Sequence, residues 1–160
     1  MSGLTIREAL PSDREILLEQ FQGLNLFENA ITGDRTTDRA GAEASLAHSE
    51  KRIAESRGHR LVAVLNGQVV GHLFLAFGQQ APFVREDRRA HGYVSELFVE
   101  AAHRGHGVGR ALLAEAERLT RTRGLDRLII GVVAGNDRAE ETYRRAGFAP
   151  YSREMLKRLD

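Results

Sequence analysis

Tyr93-Val94-Ser95-Glu96-Leu97-Phe98-Val99, followed shortly by Arg104-Gly105-His106-Gly107-Val108-Gly109-Arg110, is the stretch on which the reading of this chain turns. The first run is apolar enough for a strand. The second is a glycine-rich turn. Behind it Val108, Leu112, Ala116 and Leu119 recur at steps of four, four and three, which is one face of a helix over Gly107–Arg123. Gly124 is a natural stop for that helix. Leu128–Val133 then reads as a buried strand and Asp137–Ala146 as a second helix. Asp137 and Glu140 have the spacing of a capping box, and Gly147 sits where a left-handed C-terminal residue belongs.

Upstream, residues 4–9 read as a short strand and Pro11-Ser12-Asp13 as a turn that opens a helix near Arg14. Residues 22–38 are interrupted by Gly23, Asn25, Asn29, Gly33 and Asp34, which predicts a loop with a short helical piece. Residues 38–56 have a helical period. Leu61–Leu65, Asn66-Gly67 and Val69–Phe77 form a hairpin pattern, because Asn-Gly accepts positive φ at both turn positions. Residues 78–90 read as a loop and the tail, 148–159, as a last strand. Strands come together first and alternate with helices later. That order predicts a mixed α/β (α+β) fold, with a central sheet of about six to seven strands and about four flanking helices.

The composition narrows the function classes. At 160 residues, with no Pro- or Ser-rich linker, residues 1–160 are expected to form one domain. The net charge of +1 offers no basic excess for a phosphate backbone, so nucleic acid is not an expected partner. Cysteine is absent, which removes disulfides, thiolate metal sites and a cysteine nucleophile. No histidine pair has ligand spacing, so no metal is expected. No apolar run reaches the ~20 residues of a membrane span. The start of the chain lacks a signal peptide's apolar segment, and the expectation is a cytoplasmic protein.

The Arg104–Arg110 turn opens a helix. Glycines bring backbone amides close to a ligand, and a helix N-terminus adds unpaired N–H groups and a partial positive charge. Together these make a phosphate cradle, to which Arg104 and Arg110 add charge. A P-loop would need Gly-Lys-Ser/Thr, which is missing. A dinucleotide fingerprint counted from Gly105 would need a third glycine where Arg110 stands. A glycine turn without a ligand is the plain alternative. Asn136 and Tyr143 lie seven residues apart, on one helix face, where one ligand touches both. Their plain alternatives are a helix cap and a half-buried core aromatic.

Leu97-Phe98-Val99 with Arg104-x-x-Gly107-x-Gly109 resembles the main motif of the GCN5-related N-acetyltransferases (GNAT). Asn136, Ala139, Tyr143 and Gly147-Phe148 resemble that family's second motif. The resemblance covers roughly residues 93–150. It implies an acyl-CoA N-acyltransferase fold whose sheet splays at the cofactor site, and acetyl-CoA as cosubstrate. The loop Arg104, Gly105, His106, Gly107, Val108, Gly109 and Arg110 would hold its pyrophosphate. Leu97, Phe98 and Val99 would pair with its pantetheine arm as with an added strand. Asn136 and Tyr143 would complete the cofactor contacts.

Attack by a neutral amine on a thioester needs a donor for the developing oxyanion, a base for the ammonium proton and an acid for the thiolate. An N–H of Leu97 or Phe98 is the candidate donor. By the resemblance Tyr143 is the acid. Glu96 is the candidate base. Simple alternation puts it on a face with Val94 and Phe98, opposite Tyr93, Leu97 and Val99, unless a bulge intervenes. Only one of the two acidic residues found before Phe-Phe-Val in polyamine-acetylating relatives is present, since Ser95 precedes Glu96. His91 is a further candidate for proton removal, and His103 and His106 either bind phosphate or face solvent. The expected reaction is direct acetyl transfer to a primary amine of a small molecule: a polyamine, an aminoglycoside or an amino-acid-like compound. A protein-acetylating enzyme and a non-catalytic acyl-CoA sensor are the alternatives. Dimerisation is common in the family and a homodimer is the corresponding expectation.

Overall fold

A computed structural model describes residues 3–159. Among them five strands form one sheet, in the order β1 (Leu4–Glu8), β2 (His59–Leu65), β3 (Gln68–Gln79), β4 (Ala90–Val99), β5 (Leu128–Ile130). The first four are antiparallel neighbours and β5 lies parallel to β4. The helices are α1 (Arg14–Thr32), α2 (Arg39–Ser56), α3 (Val108–Thr122) and α4 (Asp137–Arg145). The mixed architecture is the expected one, with five strands in place of six to seven.

Both faces of the sheet are covered, and the alternation of β3 shows how. Phe74 and Ala76 join Leu17, Phe21, Leu46 and Ile53 beneath α1 and α2. Leu73 and Leu75 join Leu112, Leu113 and Ala116 beneath α3. Burial on both faces explains why β3 reads as a nearly continuous apolar run. The Asn66-Gly67 hairpin forms as expected, with φ of 50° and 80° at its two turn residues.

Three expectations are corrected. Residues 22–32 are helix: α1 runs on to Thr32 and stops at Gly33, whose φ is 73°. Gly23 does not break it. A side chain there would lie 3.0 Å from the Phe98 ring, so the glycine admits β4 to the helix surface. Asn25 donates to Ser45 Oγ on α2 at 3.3 Å, and Asn29 accepts from the Arg35 N–H at 3.0 Å. The polar residues that obscure the period are therefore used between and after the helices. Second, β5 ends at Ile130 instead of Val133. Third, residues 149–159 form no strand and are exposed, with Met155 at 93%. Their apolar residues do not alternate, and Pro150 removes a ladder donor. No helix among the described residues is long and apolar enough to cross a membrane.

Gly71 on β3 sits opposite Val99, and a Cβ there would fall 2.6 Å from the Phe98 carbonyl oxygen. Gly71→Ala should destabilise the fold by roughly 1–3 kcal/mol through this overpacking. Denaturant unfolding checks it, and unchanged stability would mean that β3 and β4 move apart without penalty.

Candidate active site

Strand β4 is paired along its whole length on one side only. It meets β3 from Ala90 to Val99. It meets β5 only at Gly92, Tyr93 and Val94. From Ser95 onward its other edge has no strand beside it among the described residues. The gap begins at a β-bulge: Leu75 pairs with Val94 and Phe74 with Glu96, leaving Ser95 without a partner on β3. A bulge inserts one residue and bends the strand, which is how two strands that start side by side come apart.

The bulge also resets which way the side chains face. Val94, Leu97 and Val99 belong to the core under α3. Tyr93 meets Arg52 of α2, Glu96 meets Ser49 of α2, and Phe98 meets Gly23 of α1. Glu96 thus keeps Phe98 as a face-mate but loses Val94 and gains Tyr93, correcting the simple alternation. The backbone follows the same logic. The Phe98 carbonyl faces Gly71 on β3, and the Glu100 N–H donates to Val70 O at 3.0 Å. The Val99 carbonyl faces the opposite side, where it accepts from Arg104 Nε at 2.7 Å. Alternation therefore turns the Leu97 N–H, and not that of Phe98, to the open edge.

A cavity of about 60 Å³ lies at this gap, lined among others by Glu28 of α1, Ser95, Glu96 and Leu97 of β4, Ile130 of β5 and Tyr143 of α4. Glu96 is held by Ser49, whose Oγ–H donates to Oε1 at 2.8 Å. Burial pushes the Glu96 carboxyl up from 4.5 to about 7, and the Glu28 charge adds to the rise. Burial likewise pushes the Tyr143 phenol up to about 12, again aided by Glu28. The phenol is therefore a neutral proton donor at pH 7, while the carboxyl sits where it can both take and release a proton. Glu28 is itself tied to Arg35 Nε at 2.8 Å. A larger hollow of about 290 Å³ lies at the other end of β5, beside Thr120, Arg127 and Gly147. It meets neither the gap nor the glycine turn.

The glycine turn leads from β4 into α3. Gly105 and Gly107 have φ of 81° and 84°, and Gly107 caps α3 without any side chain. Space in front of Gly107 is open, since a Cβ there would meet nothing within 4 Å. Its neighbours His106 and Arg110 are exposed. Val108, by contrast, is 1% exposed and belongs to the core, so only its backbone faces the turn. Gly109 rests against Val99 at ordinary contact distance. Arg104 does not point outward: besides its bond to Val99 it lies 5.4 Å over the Phe27 ring and 5.5 Å over the Phe98 ring. It clamps the end of β4 to α1.

Asn136 is the N-cap of α4, accepting from the Ala139 N–H at 3.2 Å, and it takes the place expected for Asp137 in the capping box. His91 stands at the start of β4 with Nδ1 against the Arg89 carbonyl at 2.8 Å. Five residues of strand, roughly 16 Å, separate it from Glu96. It is not placed to serve the same proton. No group of acidic or histidine side chains able to hold a metal occurs among the described residues.

Three residues enter the site that the sequence pattern did not signal. Glu28 comes from the segment expected to be a loop, and Ser49 from a helix with no motif. Arg138 Nη2 would lie 3.9 Å from a Cβ on Gly105, which brings a cation to the turn from α4. Only Arg138 had a local clue, as a basic residue between Asn136 and Tyr143.

The acetyltransferase (GNAT) family model matches residues 24–148. The L-amino acid N-acetyltransferase AaaT of Escherichia coli (strain K12) is 29% identical over 150 residues, which are 92% of this chain and 84% of that protein. A glucosamine 6-phosphate N-acetyltransferase of Trypanosoma brucei brucei is 30% identical over 94 residues, 59% of this chain; the match spans 58% of that relative's length. Among solved structures, a predicted acetyltransferase with acetyl-CoA from Clostridium acetobutylicum superposes with a TM-score of 0.71 at 16% identity, over 97% of this chain and 96% of that one.

Glu96 carries a stability consequence. Its folded pKa of about 7 lies above its ordinary value of 4.5. Between these values the folded state holds a proton that the unfolded state has released, so stability falls as pH rises from about 4.5 to 7. Glu96→Gln removes that dependence. It should leave stability near the parent's at pH 5 and raise it at pH 8.5 by on the order of 3 kcal/mol. Urea unfolding at both pH values checks this; an equal effect at both would mean that Glu96 is not buried as an acid.

Proposed function

The chain belongs to the GNAT family of acetyltransferases, and on that premise we propose that it transfers an acetyl group from acetyl-CoA directly to the primary amine of a small molecule. The observation that carries this reading is the gap after Val94, with a near-neutral carboxyl and a protonated phenol on its walls and a glycine turn at its end. Amino-acid-like amines, aminoglycosides and polyamines are the acceptor classes proposed. The named relatives act on an L-amino acid and on glucosamine 6-phosphate, which supports a small amine over a protein amine.

In this reading the amides of the Arg104–Arg110 turn, at the N-terminus of α3, bind the pyrophosphate, with Arg138 and Arg110 adding charge. The open edge of β4 at Leu97 and Val99 takes the pantetheine amides. Glu96 accepts the ammonium proton of the acceptor. The freed amine attacks the acetyl carbonyl, and the Leu97 N–H stabilises the oxyanion that develops. As the C–S bond breaks, the nitrogen of the new C–N bond gives up its second proton to solvent, and Tyr143 passes its phenolic proton to the departing thiolate and regains one from solvent. Nothing in this sequence needs a covalent acyl-enzyme, and the chain has no cysteine to form one.

A thiol reagent follows CoA release without background from the cysteine-free protein. Turnover with a small primary amine is expected; release only with a folded or peptide acceptor would overturn the small-molecule reading. Tyr143→Phe should lower kcat roughly 100-fold or more while KM for acetyl-CoA moves little, because one acid is lost and little contact area. In the parent, kcat/KM should rise with pH through about 7, as Glu96 deprotonates. A flat profile over pH 6–8 would remove Glu96 as the base.

We also propose a homodimer, supported by the open outer edge of β5 and by the exposed apolar side chains of Met155, Leu156 and Leu159. Light scattering should report a dimer that deletion of residues 149–160 makes monomeric. A monomeric full chain would end this proposal.

A further inference from the structure

Arg52 stands out among the charged side chains of α2. Arg39 pairs with Glu15 and Glu43, Lys51 with Glu55, and Glu50 with Arg60. Arg52 has no carboxylate partner among the described residues. It is nevertheless held in place, with its guanidinium 4.4 Å over the Tyr93 ring. That contact ties an otherwise exposed side chain to the sheet face.

It does not line the cavity itself, but it neighbours residues that touch the cavity wall. Arg52 follows Ser49 by three residues, so both lie on the same face of α2. Ser49 is the residue that holds Glu96. The Arg52 charge is the smallest of the influences on Glu96, and it opposes the rise that burial causes. The other end of Tyr93 reaches the same place: its hydroxyl would be 3.5 Å from a Cβ on Gly131, which lines the cavity. Arg52, Tyr93 and Ser49 thus share the α2 side of the sheet with Glu96.

We infer that Arg52 is an anion-binding residue of the acceptor site, and that the acceptor carries a carboxylate beside its amine, as an α-amino acid does. This rests on the acetyltransferase reading given above and names its substrate class. The site then offers one group to each end of a dipolar molecule. Glu96 takes the amine, as a base near its own pKa. Arg52, a planar fork of N–H donors with no partner of its own, takes the carboxylate in two parallel hydrogen bonds. Glu28 also faces the cavity, but its charge is already engaged by Arg35. A diamine would place a second ammonium against Arg52 and be rejected by like charge.

The test compares an amino acid panel with the matching amino acid amides and decarboxylated amines, using CoA release, in the parent, Arg52→Gln and Arg52→Lys. In the parent kcat/KM should favour the acids. In Arg52→Gln that preference should collapse by roughly 10- to 100-fold, mostly through KM for the acid, the size of a lost charge-assisted pair. Arg52→Lys should recover part of it. The KM for acetyl-CoA and the thermal midpoint, read alongside, report whether the cofactor side and the fold are intact. Equal preference in parent and Arg52→Gln, or a parent that favours diamines, would overturn the inference while leaving the acetyltransferase reading standing. No CoA release with any amine would instead overturn that reading, and this inference with it.

Discussion

A backbone amide in a sheet is satisfied on both sides of its strand, and β4 abandons that condition after Val94. The rest of the site depends on this one departure. Hydrogen bonds to β3 hold the strand on one side, on both sides of the bulge at Ser95. On the other side β5 stops at Ile130, leaving the edge at Leu97 and Val99 free. A free interior edge is costly unless something supplies its missing partners. In a chain of this family, a ligand with amides of its own is the natural occupant. The bulge at Ser95 makes the departure possible by bending β4 at the point where β5 falls away. It also turns Glu96 toward the α1 and α2 face instead of into the core under α3.

The electrostatics of the site follow from where the helices lie. Burial raises both Glu96 and Tyr143, and the negative charge of Glu28 pushes each in the same direction. One carboxylate on α1 thereby favours the protonated form of both groups. Glu28 in turn accepts a hydrogen bond from Arg35 Nε. Ser49 works against the trend by donating to Glu96, which limits the rise. Stability and chemistry oppose each other here: the same burial that sets Glu96 near neutrality costs folding free energy once it ionises.

Behind the site a second polar group is buried at a penalty. His72 on β3 is fully buried, stacks on Phe21 at 4.9 Å, and accepts or donates only through Nδ1, to Gln20 at 2.9 Å. Its Nε2 has no partner among the described residues, and burial holds the ring neutral by lowering its pKa to about 3. Gln20 in turn reaches Glu100 at 3.1 Å, so α1 is bonded to the end of β4. Together with Arg104, which lies over Phe27 and Phe98, these contacts fix the length of β4 that faces the gap.

The local elements were legible because each rests on neighbours in the chain. The helical period behind the glycine turn, the Asn66-Gly67 hairpin, the stop at Gly124 and the positive φ of Gly105 and Gly107 are all short-range matters of sterics and periodicity. The tail was misread as a strand because an apolar count without alternation says little about pairing. Residues 22–32 were misread because Gly23 and Asn25 serve contacts with Phe98 and Ser45 that lie far away in sequence. By itself the sequence determined the mixed fold, the glycine turn at the start of α3 and the identity of Glu96 and Tyr143 as candidates. Only the tertiary structure decided which way Glu96 faces, which amide meets the gap, and that Glu28 of α1 and Ser49 of α2 come to Glu96. The reason is physical: periodicity sets the direction of a side chain only until a bulge resets it, and burial and charge at a site come from elements that fold in from elsewhere.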